Sequence, residues 1–289
     1  MRYVIINADD FGVCLETNKA IEHIFNDGTI SSTTLMTPCP GAEDAAMRVK
    51  ANPRIRVGLH ITTNAEWTKT WGQWKPISPP EQVRSLTDEN GYFYDKVKKF
   101  SRHAKADELV FELEAQYKFL TDRGITPTHA DSHMGSVYGL IGKSFMKETL
   151  DFCAKYNLPF RFPKKIACVK RVAPYGILPP TLIIKHKRIV ARAAKLGVKI
   201  IDNLYSSTVP FAEITSYDKM KAIYFKIISE LPEGVSEIFM HPSSKDSPIG
   251  AGNPKWPARI WEYELLLDDE LRLHLEREGV KLITYADIS

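Results

Sequence analysis

The sequence predicts an α/β fold: a distorted β/α barrel of parallel strands with outer helices. Three observations carry this. Short apolar runs of strand length alternate with longer amphipathic segments along the chain. Seven or eight such strand–helix units follow one another, which implies a parallel sheet covered by helices. The acidic and imidazole side chains fall at the C-terminal ends of the predicted strands, the face on which such a barrel gathers its functional groups. An open doubly wound sheet is the alternative arrangement of the same units.

The elements follow in order. Residues 3–8 read as a buried strand, and 17–27 as a helix with Ala20, Ile21, Ile24 and Phe25 on one face and Gly28 as its stop. Residues 30–36 are β-branched and strand-like, 41–51 suit a short helix, and 55–61 form the next strand. Residues 64–104 break the rhythm. They hold Trp67, Trp71 and Trp74 and no clear period, and read as an irregular insertion within one barrel domain spanning 1–289. Helix resumes over 107–122, where Leu109, Val110, Leu113, Tyr117 and Leu120 form an apolar stripe. A strand over 125–131, a helix over 143–156 and a short strand over 158–162 come next. They are followed by a helix near 181–196, a strand over 198–202, a helix over 217–230 and a strand over 235–240. A long helix over 261–278 and a strand over 280–284 end the pattern.

Composition narrows the function. With 289 residues and 44% hydrophobic content the chain can bury a sizeable core. A net charge of +4 is too small to argue for a nucleic-acid partner. Ten Lys/Arg and no Asp/Glu fall within 164–199, a block that reads first as a solvated helix face. An anionic substrate or a membrane surface is the alternative, and no aromatic interleaving supports nucleic acid. The four cysteines (Cys14, Cys39, Cys153 and Cys168) form no C-x-x-C pair and read as reduced thiols. No stretch approaches the ~20 apolar residues of a membrane span, so a soluble cytoplasmic protein without a membrane partner is expected. There is no phosphate loop or dinucleotide fingerprint.

The polar residues at strand ends are the informative set. Asp9 and Asp10 end the first strand, and His60 lies near the end of the third. His129, Asp131 and His133 straddle the end of the fourth, and His241 follows the strand over 235–240. Singly, each has a plain structural reading: aspartates cap helices, and a lone histidine is usually a satisfied core residue. Together they point to a divalent metal, since imidazole and carboxylate suit zinc and other borderline ions. Two histidines and one aspartate leave positions open for water and substrate, the catalytic arrangement. An ion there lowers the pKa of its water and polarises a carbonyl, and an unligated carboxylate takes the water's proton. Adjacent aspartates can divide these jobs, because neighbouring residues of an extended chain face opposite ways.

The motifs NADDFG (7–12), STTLM (32–36), VGLHI (57–61), PTHADSH (127–133) and MHP (240–242) span most of the chain. In this order they resemble the YdjC-like carbohydrate deacetylase family, which includes chitooligosaccharide deacetylase. The resemblance implies a barrel related to the NodB-type deacetylases and the deacetylation of an N-acetylated sugar or short oligosaccharide. It implies one divalent metal ion, magnesium or zinc, held by Asp10, His60 and His133. Asp9 is then the catalytic base, and His241 the general acid for the leaving amine. His129 is expected to line the substrate site or to sit one layer behind it, and Asp131 to partner the other ring nitrogen of a ligating histidine. A homodimer is expected as well. The chain departs from the pattern where relatives continue the DSH motif with histidines: Met134, Gly135 and Val137 stand there, and Ser243 follows His241-Pro242 where a glycine is common. These departures bear on the substrate more than on the chemistry. Hydrolysis of another ester or amide, or a non-catalytic carbohydrate-binding role, are the competing readings. Retention of both the base and the metal ligands argues against the last. The three tryptophans are either a platform for sugar rings or anchors of a long loop or subunit interface.

Overall fold

A computed structural model describes residues 1–66, 72–166, 179–207, 209–210, 213–250, 253 and 256–288. Trp67, Trp71, Cys168 and the stretch 167–178 of the basic segment lie outside the described residues. The elements run β1 (Arg2–Phe11), α1 (Leu15–Asp27), β2 (Ser32–Leu35), α2 (Ala42–Ala51) and β3 (Val57–Ile61). After the insertion's helix α3 (Val97–His103) come α4 (Ala106–Thr121), β4 (Ala130–Ser132), α5 (Met146–Lys155) and α6 (Pro180–Leu196). The order continues with β5 (Asn203–Tyr205), α7 (Tyr217–Ser229), β6 (Gly234–Met240), α8 (Trp256–Leu267), α9 (Asp269–Arg277) and β7 (Val280–Leu282).

The strands form a parallel sheet in the order β4-β3-β2-β1-β6-β5, with β7 pairing residues 2–4 of β1. Two single-residue parallel bridges, Ala130 to Phe160 and Phe160 to Ile200, link β4 around to the segment that leads into β5. The Ala130 amide donates to the Pro159 carbonyl at 2.9 Å, the Arg161 amide to Ala130 at 3.0 Å, and the Phe160 amide to Lys199 at 2.9 Å. The ring therefore closes, with two staves reduced to single bridges. This is a distorted barrel, as the sequence predicts. The stretch 158–162 does not extend into a strand because Pro159 and Pro163 at its ends have no amide to give. The strand expected over 198–202 is likewise only a bridge at Ile200, and regular pairing begins at Asn203. The expected strand over 125–131 shrinks to Ala130–Ser132. The helix expected over 261–278 begins earlier and breaks in two at Asp268, whose side chain caps α9 by accepting from the Glu270 amide.

Alternation along the strands sorts the interior from the helix-facing side. Val4 and Ile6 pack outward among α7, α8 and α9, whereas Ile5 joins Ile201, Tyr285 and Ile288 in a small apolar floor inside the barrel. Above that floor the interior turns polar: Asn7, Ser32, Thr34, Asp131, Arg161 and Glu237 are all buried. Buried polar groups persist only when bonded to one another, and these are.

The insertion holds more order than its sequence suggests, including α3 and a bridge between Thr87 and Phe93. A buried carboxylate on α4 anchors it: Glu112 accepts from the Ile77 amide at 3.0 Å, the Ser78 amide at 2.9 Å and the Gln116 side chain at 2.8 Å. Trp74 is buried in the main core with its ring 5.9 Å from that of His133, so this tryptophan anchors the insertion.

Candidate metal centre

The Asp-Asp pair sits inside β1, which runs one residue past the aspartates, to Phe11, and ends in a kink. Asp10 adopts a left-handed backbone (φ 67°) and Gly12 a φ of 93°, conformations that an aspartate tolerates and a glycine favours. Asn18 of α1 holds the turn: its Oδ1 accepts from the Gly12 amide at 2.7 Å and its Nδ2 donates to the Gly41 carbonyl at 2.8 Å. The kink overrides strand alternation. Asp9 and Asp10 line the same cavity instead of facing opposite ways.

Three donors converge there. Asp10 Oδ1 lies 3.5 Å from His60 Nε2 and 3.5 Å from His133 Nδ1, and all three residues are buried, with their ligand atoms within 4.8 Å of one another. Two atoms each about 2.1 Å from a common ion at the tetrahedral angle lie about 3.4 Å apart, so the set fits a divalent metal. The remaining atoms of the donors are held by the protein. Asp10 Oδ2 accepts from Arg259 Nη1 at 2.7 Å. His60 Nδ1 bonds Asp131 Oδ1 at 2.6 Å, which leaves the Nε2 lone pair for the ion. His133 Nε2 faces Glu66 Oε1 at 3.9 Å. The cluster favours positive charge: burial lowers the pKa of His60, but Asp131 and Asp10 raise it to about 10. Burial likewise raises Asp10, and Arg259, His133 and His60 hold it well below the usual carboxylate range.

Asp9 has a different partner. Arg161 grips it with two parallel bonds of 2.7 Å, Nη1 to Oδ2 and Nη2 to Oδ1, and Asn7 Nδ2 donates to Oδ1 at 2.8 Å. The same guanidinium bonds Asp131 Oδ2 and Glu237 Oε1, each at 2.7 Å. Burial pushes Asp9 up, while Arg161 and the histidines bring it to about 2. His241 Nε2 is 3.9 Å from Asp9 Oδ2, and its amide donates to Glu262 Oε2 at 2.7 Å. Burial and the nearby Arg259 outweigh the aspartates and lower the His241 pKa to about 4, so its ring is neutral at pH 7.

The structure thus brings Asp9, Asp10, His60, His133 and His241 to one cavity and places Asp131 directly beneath His60. His129 lies apart from this cavity. It shares the inward face with Asp131 and His133 but sits one layer deeper, fully buried and outside the cavity lining. Its ring stacks on Tyr285 at 3.7 Å, and its Nδ1 meets Thr128 Oγ1 at 2.9 Å. Gly58 makes room for that ring, since a Cβ there falls 2.6 Å from its Cε1 and Nδ1. Period-two spacing sets the face of a residue but not its depth. Ser243, at the position of the family glycine, is accommodated: its hydroxyl is 2.8 Å from that of Thr17 on α1.

Sequence reasoning missed Arg161, Arg259, Glu66 and Glu237. Arg161 carried a signal, being the only charge in LPFRF, a run otherwise fit for burial. Glu237 carried the same signal, being the only charge in VSEIFM, whereas Glu66 and Arg259 carried none.

The cavity measures about 470 Å3. One wall is the charged set just described. The rest of the lining comes from the loop after β4, from Phe162, from α6 and from residues 204–207.

A family model described as YdjC-like protein matches residues 3–277. The chain is 29% identical over 288 residues to the carbohydrate deacetylase of Thermoanaerobacter pseudethanolicus, covering 99% of each. It is 27% identical over 288 residues to the chitooligosaccharide deacetylase of Proteus mirabilis, covering 99% of this chain and 98% of that one. Among solved structures, a candidate cellobiose-phosphate cleavage protein from Enterococcus faecalis V583 superposes with a TM-score of 0.78 at 26% identity, over 99% of this chain and 98% of that one. With the motifs of the candidate site inside the matched span, the chain belongs to the YdjC-like protein family.

Proposed function

We propose that this protein is a metal-dependent carbohydrate deacetylase that hydrolyses the acetamide of an N-acetylated sugar or short oligosaccharide. One observation carries the reading: Asp10, His60 and His133 form a buried donor set open to a cavity, with Asp9 and His241 beside it, in a chain matched end to end by carbohydrate deacetylases. Magnesium or zinc held by the three donors supplies Lewis-acid activation of the carbonyl and of water. Arg161 fixes the orientation of Asp9, and Asp131 fixes that of His60.

Asp9 takes the proton as the water oxygen bonds to the carbonyl carbon. Its low pKa makes it a transient holder, and neutral His241, 3.9 Å away, is the onward acceptor. The resulting imidazolium gives that proton to the sugar nitrogen as the C–N bond breaks. The products are acetate and the free amino sugar. A homodimer belongs to the same reading, and light scattering tests it. Among the described residues, no helix is long and apolar enough to cross a membrane.

The test is acetate release from N-acetylglucosamine, N,N′-diacetylchitobiose and longer oligomers. It is run on the protein as purified, after chelation, and after return of magnesium or zinc. Release that chelation abolishes and one ion restores is the expected result. Absence of acetate from every sugar with every ion sinks the proposal.

A further inference from the structure

From the apolar part of the cavity lining, we infer that the site takes an amide-bearing sugar that also carries an apolar substituent, an alkyl or aryl group larger than the methyl of acetate. The inference rests on the proposed hydrolase reading and specifies its substrate class. This apolar wall is Tyr138, Leu140, Phe162, Leu182, Ile189 and Leu204, with Lys185 and His186 of α6 set among them. Leucine and isoleucine offer a hydroxyl no hydrogen bond, and a sugar's polar edge pressed against them loses its water without compensation. Flat aromatic faces suit sugar rings, whereas branched aliphatic side chains suit hydrocarbon.

The wall continues outward instead of ending inside. Met134 and Leu140 line the cavity, yet are 43% and 47% exposed. Apolar side chains that line a polar site and stay open to solvent mark a place where something apolar binds. Met134 is held there by a left-handed backbone (φ 53°) followed by Gly135 at 61°. A side chain kept in that conformation is strained, and the surrounding structure imposes it.

The wall is also pre-formed. Lys185 Nζ donates to the Gly139 carbonyl at 3.0 Å and ties α6 to the loop that carries Leu140. A Cβ on Gly139 falls 2.6 Å from Lys185 Nζ and from Ser144, so this close approach needs glycine. The reaction itself is unchanged: water cleaves the C–N bond, giving a carboxylate and the amino sugar. The apolar group belongs either to the acyl chain or to the aglycone of the same sugar.

Two substrate series separate these sources. The metal-loaded protein is assayed for amine release from N-acetyl-, N-butyryl- and N-hexanoylglucosamine, and from methyl, octyl and 4-nitrophenyl glycosides of N-acetylglucosamine. Binding of the methyl and octyl glycosides is also measured by calorimetry, which needs no turnover. A buried methylene is worth ~0.8 kcal/mol, about fourfold, so butyryl is expected to exceed acetyl about fifteenfold in kcat/KM if the acyl chain occupies the wall. A comparable gain for octyl over methyl assigns the wall to the aglycone. Leu182→Asn and, separately, Ile189→Ala should pull the ratio of extended to short ligand toward one. Acetate release with no gain in either series and equal affinity for both glycosides overturns the inference and leaves the deacetylase reading standing. Tighter octyl binding without cleavage of any amide does the reverse.

Discussion

Arg161→Met should cost as much stability as a large truncation in the apolar core, and it should do so in a pH-dependent way. In the folded protein the guanidinium is buried and bonded to Asp9, Asp131 and Glu237. The pKa of Asp9 alone falls from 3.8 to about 2, which at neutral pH corresponds to about 2 kcal/mol in favour of folding. Removing the cation deletes that contribution and leaves three carboxylates without it in a low-dielectric interior. Breaking a buried pair in this way typically costs ~3–5 kcal/mol, a large part of the ~5–15 kcal/mol that holds a domain together. The sign with pH follows from the groups involved. In the parent, the Asp9 contribution is complete above pH 3.8 and fades as pH falls toward 2. In the variant, burial without Arg161 raises the Asp9 pKa above its unfolded value, so the deficit is largest at neutral pH and shrinks as that carboxyl takes up a proton. Urea unfolding of both proteins at pH 7 and pH 5 measures this. A variant within ~1 kcal/mol of the parent at pH 7, or a deficit independent of pH, refutes the argument. Arg161→Lys keeps one charge but loses the planar fork, so it should fold and lose turnover instead.

Three further outcomes follow from the geometry. Asp9→Asn should keep the metal and the fold while lowering kcat by ~10²–10⁴ with little change in KM, the usual contribution of a general base. Near-normal kcat in that variant moves the proton-accepting role to His241. The His60→Ala/His133→Ala double variant should lose stoichiometric metal by elemental analysis, whereas Asp131→Asn should keep the metal with affinity weakened ~10–100-fold. Full occupancy in the double variant sinks the ligand assignment. Gly58→Ala drives a Cβ into the His129 ring and backbone at 2.6–2.8 Å, and overpacking of this kind costs ~1–3 kcal/mol. An unchanged melting temperature shows instead that the ring has room to move.

Much of this architecture was legible in the chain. The alternation of strand-length and helix-length segments implied a parallel barrel, and acidic and imidazole residues at strand ends marked the functional face. Those are local properties: side-chain period and hydrophobic pattern depend on neighbours a few residues away. Asp9, Asp10, His60, His133 and His241 could therefore be named from the sequence.

What the chain could not disclose is what depends on distant segments meeting. Arg161 and Asp9 are 152 positions apart, and only closure of the barrel makes one guanidinium serve Asp9, Asp131 and Glu237 together. The direction of the Asp10 side chain depends on a left-handed backbone that Asn18 and α2 secure from outside the strand. His129 differs from Asp131 only in its layer within the barrel, and layers are set by the strands on either side. The sequence thus determined which residues point inward. The tertiary structure decided which of them meet, because charges and hydrogen bonds act over a few ångströms of space whatever their separation along the chain.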